Sequence, residues 1–185
     1  MAIKGFQQYL QRGRVPLGFL LGALSLFFAS PRQESLVVGA MIALFGVLFR
    51  AWSAGHVRKN ERLATSGPYA YTRNPLYFGS FFLGLGFSIA TARIELAIIF
   101  IIFYLSVYWA VMRAEAEYMT QLFPQEYQTY AAAVPLFWPR LTRWEGSTPL
   151  KFDWQLYLKY REYRAFLGMI LAIALLVVKI YWPPA

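Results

Sequence analysis

The sequence predicts an all-α fold, a polytopic membrane helix bundle of about five transmembrane helices with its polar loops gathered at one membrane face. Three observations predict it. Of the 185 residues, 58% are hydrophobic and 19% aromatic, more than an average soluble domain carries. Five apolar stretches run roughly from Val15 to Ser30, Leu36 to Phe49, Leu76 to Ala92, Leu96 to Met112 and Ala165 to Trp182. The eighteen Lys and Arg residues then fall almost entirely into alternate connections.

The elements follow in order. A full span needs about 20 apolar residues, so the first two stretches are short and are expected to recruit flanking residues or to form a tilted hairpin. Lys4, Arg12 and Arg14 precede the first stretch, but no small-residue cleavage site follows its apolar core, which predicts that it stays in the mature protein. Three cations precede the first span, five lie from Arg50 to Arg73 and seven from Arg113 to Arg164, whereas Arg32 and Arg93 stand alone in the other two loops. This alternation places the N-terminus and the 50–75 and 113–164 connections in the cytoplasm and the C-terminus outside. Residues 150–164, rich in Trp, Tyr, Lys and Arg, read as an interfacial helix leading into the last span.

The chain suits a single domain, with no room for a separate soluble one of ordinary size, so function must reside on the helices and their loops. Cysteine is absent and histidine occurs once, which excludes disulfides and thiolate nucleophiles and argues against a metal site. The net charge of +9 follows from the topological bias and from attraction to anionic headgroups, and no basic stripe with aromatic interleaving suggests nucleic acid. Few polar residues lie in the spans and no inverted repeat is visible, which disfavours a transporter.

The most informative segment is 66–79, Ser-Gly-Pro-Tyr-Ala-Tyr-Thr-Arg-Asn-Pro-Leu-Tyr-Phe-Gly, a turn-rich, aromatic and cationic loop between two apolar stretches. Packing gives no reason to concentrate Gly67, Pro68, Arg73, Pro75 and three tyrosines at a membrane surface, so a polar ligand site is expected there. The second candidate connection begins with Arg113-Ala-Glu-Ala-Glu, a good helix former, and is punctuated by Pro124 and Pro135. Arg50, near the end of the second stretch, is an intramembrane arginine and therefore a site candidate.

At these positions the chain resembles the integral-membrane methyltransferases that include isoprenylcysteine carboxyl methyltransferases and phospholipid N-methyltransferases. The resemblance rests on Arg50, His56 with Lys59-Asn60, the block Thr65 to Gly79, and then Arg113-Ala-Glu115, Phe123, Tyr127, Tyr130, Val134 and Pro139. It covers residues 50–140, about half the chain. It implies S-adenosylmethionine bound at cytoplasmic cofactor-binding loops and a lipophilic or prenylated acceptor entering from the bilayer among membrane lipids, with no nucleic-acid partner.

Cofactor contacts are then expected from His56, Lys59, Gly67, Pro68, Tyr69, Arg73, Asn74, Pro75, Tyr77, Glu115, Tyr127 and Tyr130, with Arg50, Glu115, Arg113 and His56 as candidate catalytic residues and no metal. Arg73 or Arg113 suits the cofactor carboxylate in a bidentate grip, Glu115 its hydroxyls or amino group, and the tyrosines its flat base. A carboxylate acceptor needs a cation, for which Arg50 is placed, and an amine acceptor needs a base, for which His56 or Glu115 is available. Structural roles compete: interfacial anchoring for Arg50, an ion pair between Arg113 and Glu117, helix packing for Tyr127, Tyr130 and Gly84-Leu-Gly86, and an aromatic belt for Tyr157, Tyr160 and Tyr163.

The chain departs from the family pattern in three places. Arg73-Asn74-Pro75 stands where many members carry Arg-His-Pro, Ala116 separates Glu115 from Glu117 where two adjacent acids are common, and Phe123-Pro124 replaces Phe-Gly. An NADPH-dependent membrane reductase of a sterol-like lipid and a non-catalytic lipid-binding protein are the alternative readings.

Overall fold

The structure, a computed structural model, describes the backbone at residues 2–58 and 62–182, and side chains at residue 13 and from residue 16 onward within those ranges. Among the described residues there are seven α-helices and no strand: α1 (Ala2–Phe28), α2 (Gln33–Ala54), α3 (Pro75–Ala90), α4 (Ile94–Leu122), α5 (Pro124–Ala133), α6 (Trp154–Lys159) and α7 (Tyr163–Tyr181). Helices α2, α4 and α7 are long and apolar enough to cross a membrane, and the segments Pro16–Phe28 and Pro75–Ala90 are shorter apolar helices.

The two short stretches recruit flanking residues as expected, within α1 and α2. The second stretch extends into the 22-residue α2, whereas α3, with 16 residues, is itself short. Such a helix rises about 24 Å, less than the hydrocarbon thickness of about 30 Å. Pro75 at its first turn and the turn after Ala90 bound it. Helix α4 continues past its apolar part and so carries Glu115 and Met119 beyond the span on one rigid rod of 29 residues.

Helices α2 and α3 lie antiparallel in the closest contact of the bundle. Between apolar helices in lipid no hydrophobic force operates, so approach depends on small residues. A Cβ on Gly39 would lie 2.4 Å from the Gly86 carbonyl oxygen, one on Gly46 2.5 Å from that of Gly79, and one on Gly86 2.4 Å from the Ala43 nitrogen. The packing role of Gly86 is thereby explained; Gly84 meets instead the ring of Phe100 on α4.

The two ends of the bundle are stitched differently. At one end short connections are tied by Ser30 N to the Thr91 carbonyl (2.9 Å), Ser35 Oγ to the Ala90 carbonyl (3.3 Å), and Lys179 Nζ to the carbonyls of Leu26 (2.9 Å) and Phe27 (2.6 Å), which caps the end of α1. The 55–74 and 123–162 connections fold together at the other end. Below them an aromatic core of Phe78, Phe81, Tyr104 and Phe137 with Met112 fixes α3 against α4.

Candidate functional site

The 66–79 loop owes its shape to two residues. Gly67 has φ +56°, a left-handed conformation that glycine adopts without strain, and a Cβ there would lie 2.5 Å from the His56 ring. Pro68 follows at the start of a 3-10 turn, Gly67–Ala70. The loop is then bound to the segment after α5: Arg73 N donates to the Pro135 carbonyl (2.9 Å), Asn74 Nδ2 to Leu136 (3.0 Å) and Thr72 Oγ1 to Phe137 (2.8 Å), while Arg140 N and Trp144 N donate back to Tyr71 and Ala70. Tyr130 Oη closes the arrangement on the Tyr69 carbonyl at 2.7 Å. Two blocks far apart in sequence thus form one surface.

Between that surface and the ends of α2, α3 and α4 lies a cavity of about 560 Å³, within the size range of small-molecule sites. At its membrane end stands Arg50. Its guanidinium makes a bidentate pair with Glu162, Nη2 at 2.7 and 2.9 Å and Nε at 3.1 Å, and donates through Nη1 to the Leu76 carbonyl (3.3 Å) and to Ser80 Oγ. The two side chains are only 21% and 12% exposed. Arg161 carries the chain around the corner before α7 in a left-handed conformation, φ 55°, and Glu162 follows at the N-cap position immediately before α7.

Arg73 occupies the far end. Nη1 donates to Tyr127 Oη at 3.2 Å with the guanidinium 5.8 Å from that ring, and its buried Nε has no hydrogen-bond partner among the described residues. Between the two arginines Tyr77 Oη donates to Glu115 Oε1 at 2.6 Å, and Tyr104, stacked on Tyr108 at 4.1 Å, donates to the Tyr77 carbonyl. Burial first, and then the carboxylates of Glu115 and Glu162, hold the Tyr69 phenol far above its usual range, so it stays a neutral donor. Tyr130 is likewise raised by burial.

Of the residues expected from sequence, Arg50, Tyr69, Arg73, Asn74, Pro75, Tyr77, Glu115, Tyr127 and Tyr130 line this cavity. Four others are placed elsewhere. Gly67 and Pro68 shape the turn from behind. His56 is buried with Nδ1 3.0 Å from Ser66 Oγ and its ring edge toward Phe152, and burial lowers its pKa. Helix α2 ends at Ala54, before His56, and Gly55 admits the Phe152 ring, 2.3 Å from where a Cβ would be. Arg113 is exposed on α4, its guanidinium 5.9 Å from the Trp109 ring, because it lies two positions from Glu115 and so faces away from the cavity. Lys59 and Asn60 lie outside the described residues.

The cavity also contains residues that sequence reasoning passed over: Glu162, Ser80, Tyr108, Arg58 and Arg62. Glu162 had a readable signal, an acid between Arg161 and Arg164 immediately before an apolar span. Ser80 and Tyr108 had none, since single polar residues in spans are common. Among the described residues no group of three or more His, Asp or Glu is placed to hold a metal ion.

Comparison with known proteins identifies the family. The family model described as phospholipid methyltransferase matches residues 34–126, from the start of α2 to the start of α5. The chain is 32% identical over 144 residues to the cobalt-zinc-cadmium resistance protein CzcN of Cupriavidus metallidurans, covering 73% of this chain and 65% of that protein. It is 34% identical over 115 residues to the nickel-cobalt-cadmium resistance protein NccN of Alcaligenes xylosoxydans xylosoxydans, covering 61% and 54%. The matched segment therefore spans less than two thirds of either relative, and no solved structure matches. With a family match over half its length and helices fit to cross a bilayer, the chain is an integral membrane protein of the phospholipid methyltransferase family.

Proposed function

We propose that the protein transfers a methyl group from S-adenosylmethionine to the polar head of a lipophilic acceptor in the membrane, and that the acceptor is an amine rather than a carboxylate. The observation that carries the reading is Arg73: a buried guanidinium nitrogen without a partner among the described residues, at one end of a cavity that also offers carboxylate and phenol groups. A buried unpaired donor costs about 1–3 kcal/mol, which an anionic ligand group relieves. Arg73 would hold the carboxylate of S-adenosylmethionine, Tyr127 and Tyr69 would flank its nucleoside, and Glu115 would supply negative charge at the cavity's centre. When bound, that cofactor supplies an electrophilic methyl on a sulfonium.

The chain's own groups do the rest by positioning, because an in-line displacement gains most from orientation and from exclusion of water. Arg50 bears on the choice of acceptor. Its donors are taken up by Glu162, Leu76 and Ser80, so an entering carboxylate would have to displace Glu162. An ammonium meets instead the Glu115 carboxylate beside the aromatic side chains of Tyr77 and Tyr108, which favour a cation. Loss of the amine proton is assigned to Glu115, since His56 is turned toward Ser66. The cationic connections at this end of the bundle support a cytoplasmic orientation for the cavity.

Titration calorimetry in detergent with S-adenosylmethionine tests cofactor binding. Incubation with the labelled cofactor and a panel of lipid amines and prenylated acids, read by mass spectrometry, tests the acceptor. Absence of any binding heat would leave the non-catalytic lipid-binding reading in its place, and label on the acids alone would reverse the acceptor assignment.

A further inference from the structure

A second groove, of about 540 Å³, opens between the end of α2 and the 150–156 segment. Its floor is Gly55, His56 and Leu156, all buried. Arg58, Arg62 and Lys151 stand around it, and Asp153 is the single carboxylate among its described lining residues. Asp153 is already engaged: Oδ2 accepts from Arg58 at 3.2 Å, and Oδ1 accepts from the backbone nitrogens of Gln155 and Leu156. Arg62 and Lys151, both exposed, therefore leave the described lining of the groove with net positive charge.

Its level relative to the bilayer follows from the helices. Gly55 directly follows the last residue of α2, and Tyr163 begins α7 a few residues beyond the groove, so the groove lies where two helices leave the membrane. Beside it α6 exposes Trp154 (69%) and Leu158 (58%), side chains suited to the boundary between headgroups and acyl chains. A site for a soluble anion has no use for that apolar flank. We propose that this groove binds the phosphate of an anionic membrane phospholipid, with Arg62 and Lys151 on the phosphate and Trp154 and Leu158 against the acyl-chain boundary. Cations clustered at a cytoplasmic leaflet attract such lipids at roughly fivefold in affinity per Lys or Arg. Arg62 also lines the first cavity whereas Lys151 does not, so the assignment is tested at Lys151 and read without methyl transfer.

The test measures lipid retention by the purified protein in detergent, by native mass spectrometry, with phosphatidylglycerol against phosphatidylcholine and with millimolar inorganic phosphate as competitor. The expected result is retention of phosphatidylglycerol over phosphatidylcholine, resistant to phosphate. Lys151→Glu is expected to weaken it about 25-fold and Lys151→Gln about fivefold, the latter serving if the charge reversal lowers the thermal midpoint. Lys159→Glu, the same charge change outside the groove, is expected to have a markedly smaller effect. Equal retention of both lipids, or equal loss from Lys151→Glu and Lys159→Glu, would overturn the site. Displacement by inorganic phosphate would show a soluble-anion site and overturn the lipid assignment.

Discussion

Two arginines line one cavity and are satisfied differently. Arg50 is held by a bidentate carboxylate, a carbonyl and a hydroxyl, while Arg73 keeps a buried nitrogen without a partner among the described residues. Residue type and burial are alike; what differs is whether the fold brings an acid to the guanidinium. Where Glu162 arrives, the arginine joins α2 to the beginning of α7 and its charge is internal to the protein. At Arg73 no acid among the described residues does so, and the proposed function gives that charge to a ligand. A cation in a cavity therefore says little until its counter-charge is located.

That contrast is open to breakage, most severely at Arg50. Arg50→Ala leaves Glu162 half-buried and unpaired, and a stability loss of about 3 kcal/mol is expected in denaturant unfolding in micelles. Adding Glu162→Ala should recover part of it, and a double-mutant cycle without coupling would refute the internal role. Arg73→Ala is expected to lower S-adenosylmethionine affinity about 30-fold, equivalent to about 2 kcal/mol, with little change in thermal midpoint. If it costs as much stability as Arg50→Ala, the two arginines are not distinct in kind.

Smaller effects sharpen the middle of the cavity. Tyr77→Phe removes the 2.6 Å hydrogen bond to Glu115, and about 1 kcal/mol, a roughly fivefold fall in kcat with KM for the cofactor nearly unchanged, is expected in steady-state assays. The smallest effect belongs to His56. Burial lowers its pKa, so the folded state resists protonation more than the unfolded chain does; stability is full above about pH 6.5 and falls as the pH drops below it. His56→Asn should flatten that acid slope in thermal melts at stepped pH while leaving cofactor affinity intact, and a loss of affinity would restore His56 to the site.

The sequence by itself determined the five apolar helices, the alternation of their charged ends, and the loop of Gly67, Pro68, Arg73 and Pro75. Each of these is a local matter: hydrophobic runs have to match the bilayer, and a left-handed turn needs glycine. It also marked most of the cavity, because Tyr77, Glu115, Tyr127 and Tyr130 lie in two compact blocks. Only the tertiary structure decided which cation is satisfied, that His56 faces away behind Gly67, that Arg113 points outward, and that α3 too is a short span, packed beside α2. These outcomes depend on contacts between residues far apart in sequence, such as Arg50 with Glu162 or Gly55 with Phe152, and a pairing of that kind is fixed by how helices pack, which periodicity and composition do not encode.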